Sequence, residues 1–201
     1  MKQWIAAAAT AALLVACRGE TKDTSGLPET ETTGTAQAMS QTTTASATTT
    51  ASTSGTITNM TPEDKTFVSD AGMAGLAEVL MGNLALQKAA NADVKAFAQR
   101  MVTDHSTANA ELAQMATTKG LALPTELGGA HKEGLDHLSG LSGAEYDKAY
   151  MQHMVEDHQK AVTLFQTGTT ASDSDVKAFA SKTLPTLQQH LQLATDVSGK
   201  M

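Results

Sequence analysis

A five-residue pattern occurs twice in the chain, and in each copy its histidine falls among apolar residues spaced for a helix. The copies are residues 101–105 (Met-Val-Thr-Asp-His) and 154–158 (Met-Val-Glu-Asp-His), which match at four of five positions. Residues three or four apart lie on one face of a helix, so both histidines belong to the face that turns toward a core. The pattern therefore predicts two helices that carry His105 and His158 toward each other.

Four long stretches after residue 60 have helical periodicity, and no alternating strand pattern competes with them. We predict helices at about 62–90, 91–119, 143–168 and 173–197. The connection at 121–142 contains several glycines and a short helical pattern near 132–138. The first helix has clear start signals, because Thr61 is an N-cap residue, Pro62 takes the first helical position and acidic residues follow in the first turn.

A second repeat fixes how these helices are related. Residues 93–98 (Asp-Val-Lys-Ala-Phe-Ala) recur unchanged as residues 175–180, at the start of the second and fourth long helices. Two related helical hairpins joined by a long connection pack most simply as an antiparallel four-helix bundle. We therefore predict an all-α fold in which residues 61–201 form one bundle domain.

The first residues have the composition of a secretion signal. Lys2 supplies the positive start, and residues 5–15 form an apolar run that is too short to span a bilayer as a helix. The run ends in Leu-Val-Ala-Cys, which resembles the bacterial lipobox and makes Cys17, the single cysteine, the predicted site of lipidation. The alternative is an ordinary signal peptide with a chance cysteine. Because Arg18 rather than Asp follows, the lipobox resemblance implies a lipid anchor in the outer membrane, facing the periplasm.

Residues 18–60 are rich in Thr, Ser and Ala and contain few large apolar side chains. Such a stretch cannot bury enough apolar surface to offset the entropy of ordering it, so we predict a disordered tether between the signal of residues 1–17 and the domain. The formal net charge of the chain is −7. This acidity argues against binding to nucleic acid, whose phosphates require a basic surface.

Each of the four long helices places one polar, metal-ligating side chain near its middle, on the apolar face. These candidates are Glu78, His105, His158 and His190. One carboxylate and three imidazoles would suit a single iron, zinc, copper or manganese ion. The alternative is a hydrogen-bonded Glu–His network that closes without a metal.

Two aspartates precede the repeated histidines. Asp104 and Asp157 are each about 100° round the helix from the neighbouring histidine, so they cannot easily reach the same centre. We predict that they orient partner groups around the ligands or form surface ion pairs. Met101 and Met154 lie one turn before the histidines, where thioethers would favour reduced copper or simply fill the core.

Several stretches of the domain carry a family resemblance: 67–68, 75–78, 94–105, 138–143, 147–150, 158–159, 184–185 and 190. Through them the domain resembles the bacterial envelope family known as domain of unknown function 4142, and more broadly the ferritin-like four-helix bundles. Di-iron ferritin-like proteins carry Glu-x-x-His on two helices, but here Val102, Val155 and Leu187 stand three residues before the histidines. The resemblance therefore implies the fold and an envelope location, and no di-iron chemistry is carried over.

Two functions follow from these features. The first is an envelope lipoprotein that binds one metal ion through its inward Glu and His residues. The second is a structural or interaction module of the outer membrane or periplasm, in which the same polar groups only fix the helix register. The sequence does not indicate an enzyme, because it has no serine elbow, no cysteine nucleophile in the domain and no paired catalytic carboxylates.

Overall fold

The structure, a computed structural model, describes residues 60–201. The predicted signal peptide, the predicted lipidation site Cys17 and all of the predicted tether except Met60 lie outside this region. The described residues form helices and no strand: α1 (Pro62–Lys88), α2 (Ala92–Thr118), α3 (Gly129–Ser139), α4 (Gly143–Gly168) and α5 (Ser174–Ser198). The four long helices are close to their predicted bounds, which confirms the all-α fold. None of the five combines the length and apolarity needed to cross a bilayer.

The helix starts follow the signals in the sequence. At α1, the Thr61 hydroxyl accepts from the backbone N–H of Asp64 at 3.1 Å, and the Asp64 carboxylate accepts from the backbone N–H of Thr61 at 3.3 Å. This reciprocal capping box satisfies two N–H groups that have no partner within the helix. Asn91 caps α2 and Asp173 caps α5 in the same one-sided way, through their side-chain oxygens.

The bundle consists of two hairpins that are cross-linked by buried aspartates. Helix α1 packs mainly on α2, and α4 mainly on α5, while α1–α4 and α2–α5 contacts join the hairpins. Asp64 at the start of α1 accepts from the backbone N–H groups of Ser172 and Asp173, both at 3.1 Å. Asp147 near the start of α4 accepts from those of Ala90 and Asn91, at 3.0 and 2.8 Å. An aspartate of each hairpin thus accepts hydrogen bonds from two backbone N–H groups in or next to the loop of the other hairpin.

Close approach of α1 and α2 depends on a glycine. A Cβ atom built on Gly82 would lie 2.8 Å from Cγ2 of Val102 and 3.3 Å from the carbonyl oxygen of Ala98. Any side chain at this position would force the two helices apart. The contact lies one turn along α1 from Glu78, so it also holds α1 close to the helix that carries His105.

The core consists of two apolar clusters. One contains Met81 and Met101 with residues of the α4 start, and the other contains Leu112 and Phe165 with residues of the α1 start. On α2, α4 and α5 a buried histidine falls between the residues of the two clusters. On α1 the buried Glu78 lies at the same level, with Oε1 3.6 Å from Nδ1 of His158. The fold therefore sets one polar layer between two apolar layers near the middle of the bundle.

Candidate metal centre

Three of the four predicted ligands meet in this polar layer. Ligand atoms of His105, His158 and His190 all lie within 4.8 Å of one another. The ring centroids form a nearly equilateral triangle, with separations of 5.7, 5.3 and 5.4 Å. All three side chains are buried. We call these residues the histidine triad.

In His158 and His190, one of the two ring nitrogens forms a hydrogen bond that fixes the orientation of the ring. Nδ1 of His158 lies 2.8 Å from the carbonyl oxygen of Met154, and Nε2 of His190 lies 2.9 Å from Oδ2 of Asp104. Carbonyl and carboxylate oxygens only accept, so each of these nitrogens carries the proton. In the neutral imidazoles, Nε2 of His158 and Nδ1 of His190 are then left with unshared lone pairs.

These two lone pairs have no hydrogen-bond partner among the described residues. The same holds for Nε2 of His105, so each ring of the triad has one buried nitrogen without a partner there. Buried polar atoms are usually paired, so three unpaired nitrogens on three converging rings require an explanation. A metal ion is one, because it binds the deprotonated nitrogen of a neutral imidazole.

The surroundings keep the triad neutral. Burial lowers the pKa of His158 and the pKa of His190. It lowers the pKa of His105 well below its usual value, and the other two imidazoles lower that pKa further. A protonated ring in this layer would carry its charge in an apolar environment and next to two other imidazoles, and both conditions disfavour the charged form. The triad is therefore available as three neutral nitrogen donors at neutral pH.

Glu78, the fourth predicted ligand, is not part of this group. Its Oε1 lies 3.6 Å from Nδ1 of His158, which is the protonated nitrogen and not the free one. Its Oε2 is buried without a partner. Burial, together with repulsion from Asp157, raises the pKa of Glu78 to about 8, although His153 partly offsets this. Glu78 is thus a neutral acid beside the triad at neutral pH.

The two aspartates of the repeat have different partners. Asp104, which is partly exposed, holds His190 of the triad. Asp157 has other partners: its carboxylate lies 3.0 Å from Nε2 of His153 and 3.1 Å from Nζ of Lys160. Although burial opposes the shift, His153 and Lys160 lower the pKa of Asp157 to about 2.

His153 is the polar residue that the sequence reasoning missed. Its interaction with Asp157 raises its pKa, and Gly134 of α3 packs directly on its ring. His153 precedes His158 by five residues, which puts it off the apolar stripe of α4. No periodicity in α4 marks it, because the cover that half-buries it comes from the connection between the hairpins.

Comparisons with known proteins agree with the fold. A family model described as Domain of unknown function (DUF4142) matches residues 29–197. The DUF305 fragment from Deinococcus radiodurans superposes with a TM-score of 0.64 at 16% identity, over 71% of this chain and 99% of that one. A DUF305 protein from Streptomyces coelicolor, described as a candidate secreted protein, gives 0.60 at 14% identity, over 69% and 93%. CopM in its Cu(II)-bound form gives 0.57 at 17% identity, over 68% and 96%. No curated protein matches the sequence.

Proposed function

Since the chain belongs to the DUF4142 family, whose description assigns no function, we propose a function from its own site: it binds one transition-metal ion at the histidine triad. Two observations support this most strongly: each ring of the triad has a buried nitrogen without a hydrogen-bond partner among the described residues, and one ligand atom from each ring lies within 4.8 Å of the other two. Bonds from nitrogen to zinc of about 2.0–2.1 Å require nitrogens roughly 3.4 Å apart, so small rotations of the rings would close the site.

The donor set narrows the choice of ion. Imidazole nitrogen suits copper, zinc and iron, whereas manganese prefers carboxylate, carbonyl and water oxygens. Because Glu78 stays outside the triad, manganese fits least of the four predicted ions. Copper is the first ion to test, since the structurally similar CopM is described in a Cu(II)-bound form.

The groups around the triad support a built site. Metal-binding histidines usually donate the N–H of their second ring nitrogen to a carboxylate or a backbone carbonyl, which fixes the ring and raises the basicity of the metal-binding nitrogen. Asp104 and the carbonyl of Met154 supply one such acceptor each, for His190 and His158. A purely structural histidine layer would more simply pair its nitrogens with one another.

We further propose that the protein acts outside the cytoplasm. The signal pattern of residues 1–17 supports this, and so does the description of one structural neighbour as a candidate secreted protein. Attachment to the outer membrane through Cys17 is the finer form of the proposal. Cys17→Ser should move the protein from the membrane to the soluble periplasmic fraction, and an unchanged distribution would contradict the anchor.

The metal content of the full chain, produced without a polyhistidine tag, tests the main proposal. We expect close to one copper or zinc ion per chain after loading, and loss of that ion in His105→Ala/His158→Ala. Gln substitutions at His131 and His137, which lie outside the triad, should leave the content unchanged. Failure of the loaded wild type to retain copper, zinc or iron would refute metal binding and favour the structural alternative.

A further inference from the structure

A cavity of about 20 Å³ lies between the helices beside the polar layer. Two residues of that layer line it, His105 of the triad and Glu78. Asn109 and Thr183, which have polar side chains, also line the cavity. The other lining residues are Ala, Gly, Leu and Phe. A polar cavity of more than about 10–15 Å³ is large enough for one water molecule.

The position of the cavity follows from the helix register. Asn109 lies one turn after His105 on α2, Ala161 about one turn after His158 on α4, and Leu187 about one turn before His190 on α5. One turn of helix is about 5.4 Å long. All three displacements lead toward the same end of the bundle, the end at which Asp64 meets the loop between α4 and α5. The cavity is therefore stacked directly on the triad along the bundle axis.

The opposite face of the triad is closed. One turn away in that direction are Met101 on α2, Met154 on α4 and Ala194 on α5, each of them fully buried. All three belong to the same apolar cluster. An ion at the triad consequently has packed side chains on one side and an open volume on the other.

Three histidines leave a tetrahedral ion with one vacant position, as in zinc sites that keep a place for water or substrate. Both His105 and Glu78 line the open volume, and each of them has a buried atom without a hydrogen-bond partner in the described part of the chain. Resting on the metal binding proposed above, we propose that the centre keeps its fourth position open toward this cavity, and that one exchangeable water molecule fills it between His105 and Glu78. The site would then take small oxygen ligands without any opening of the bundle.

The experiment uses the full chain loaded with Cu(II) in ordinary water and in water enriched in ¹⁷O. A coordinated ¹⁷O broadens the copper lines in electron paramagnetic resonance. We expect broadening in the wild type and none in Ala108→Leu, whose larger side chain fills the cavity from α2. Ala110→Leu makes the same change at an exposed position on the same helix and should keep the broadening.

The outcomes separate this inference from the proposal on which it rests. A wild type that binds no copper refutes metal binding itself. A wild type that binds copper, shows nitrogen hyperfine structure from histidine and yet shows no ¹⁷O broadening refutes the open position. If Ala108→Leu does not fold, Thr183→Leu fills the same cavity from α5 and takes its place. Broadening that persists in the copper-loaded filled variant also contradicts the assignment of the water to this cavity.

Discussion

The raised pKa of Glu78 makes the stability of the metal-free protein fall with rising pH in a defined window. An isolated carboxyl of this type has a pKa of 4.5, whereas burial raises the pKa of Glu78 to about 8. Above pH 4.5 the unfolded chain therefore loses this proton, while the folded protein keeps it until about pH 8. Because the folded state then binds more protons than the unfolded state, the free energy of unfolding decreases as the pH rises.

The size of the effect follows from the shift. One pKa unit corresponds to about 1.4 kcal/mol, so Glu78 should lower the free energy of unfolding by about 2–3 kcal/mol between pH 5 and pH 7. Glu78→Gln has nearly the same shape and does not titrate, so it should lack this loss. The variant should consequently gain about 2–3 kcal/mol over the wild type across the same interval.

Urea unfolding at pH 5, 6, 7 and 8 in the presence of a chelator measures the difference directly. Glu78 is not among the causes that shift the pKa values of the triad, so the contribution of the triad is common to both proteins and cancels in the comparison. Glu133→Gln, an exposed change on α3, serves as the control and should track the wild type at every pH. A difference between Glu78→Gln and the wild type that stays constant from pH 5 to pH 8 would refute a neutral, buried Glu78.

Three further predictions concern the triad and the cross-links between the hairpins. Asp104→Asn should weaken copper affinity by about 10–100-fold, measured by competition with a coloured chelator, whereas Asp157→Asn should change it far less; equal effects would contradict the separate partners. Asp147→Ala leaves two backbone N–H groups without their charged acceptor and should cost about 2–4 kcal/mol in urea unfolding, against under about 0.5 for the exposed Glu145→Ala. The lowered pKa values of the triad predict that the stability from its neutral rings is present above pH 6.5 and lost as pH falls below it, measured by urea unfolding in the Glu78→Gln background. A stability that stays level down to pH 5 would contradict this last prediction.

The helical layout was readable from the sequence because its signals are local. Thr61 and Pro62 mark the start of α1 whatever the rest of the chain does, and the repeat at 93–98 and 175–180 marks the starts of α2 and α5. The cross-links made by Asp64 and Asp147 were not predicted. They depend on which loop of one hairpin meets which helix start of the other, and no local pattern encodes that register.

The sequence predicts only part of the site. Helical periodicity indicates on which face of a helix a residue lies and how far along the helix it is, but it does not indicate where the side chain points. The sequence predicts that His105 and His158 meet, because the helix face and the position along the helix are sufficient when both rings point toward the bundle axis. Glu78 has the same stripe and a similar height, yet its carboxylate lies beside the protonated nitrogen of His158. The two aspartates occupy equal places in the repeat, and only their neighbours distinguish them: His190 of α5 for Asp104 and His153 of α4 for Asp157.

The cost of the polar layer separates the two functions that the sequence left open. A buried polar atom without a partner destabilises a protein by about 1–3 kcal/mol, and the triad of the metal-free protein contains three. Leucine or methionine at these positions would continue the apolar packing on both sides, so a layer that served only the fold would be more stable without histidine. An ion present at 1,000 times its dissociation constant stabilises the folded state by about 4 kcal/mol, which is of the same order as the cost. Coordination of a metal ion by the three unpaired nitrogens therefore accounts for them better than a role in fixing the helix register.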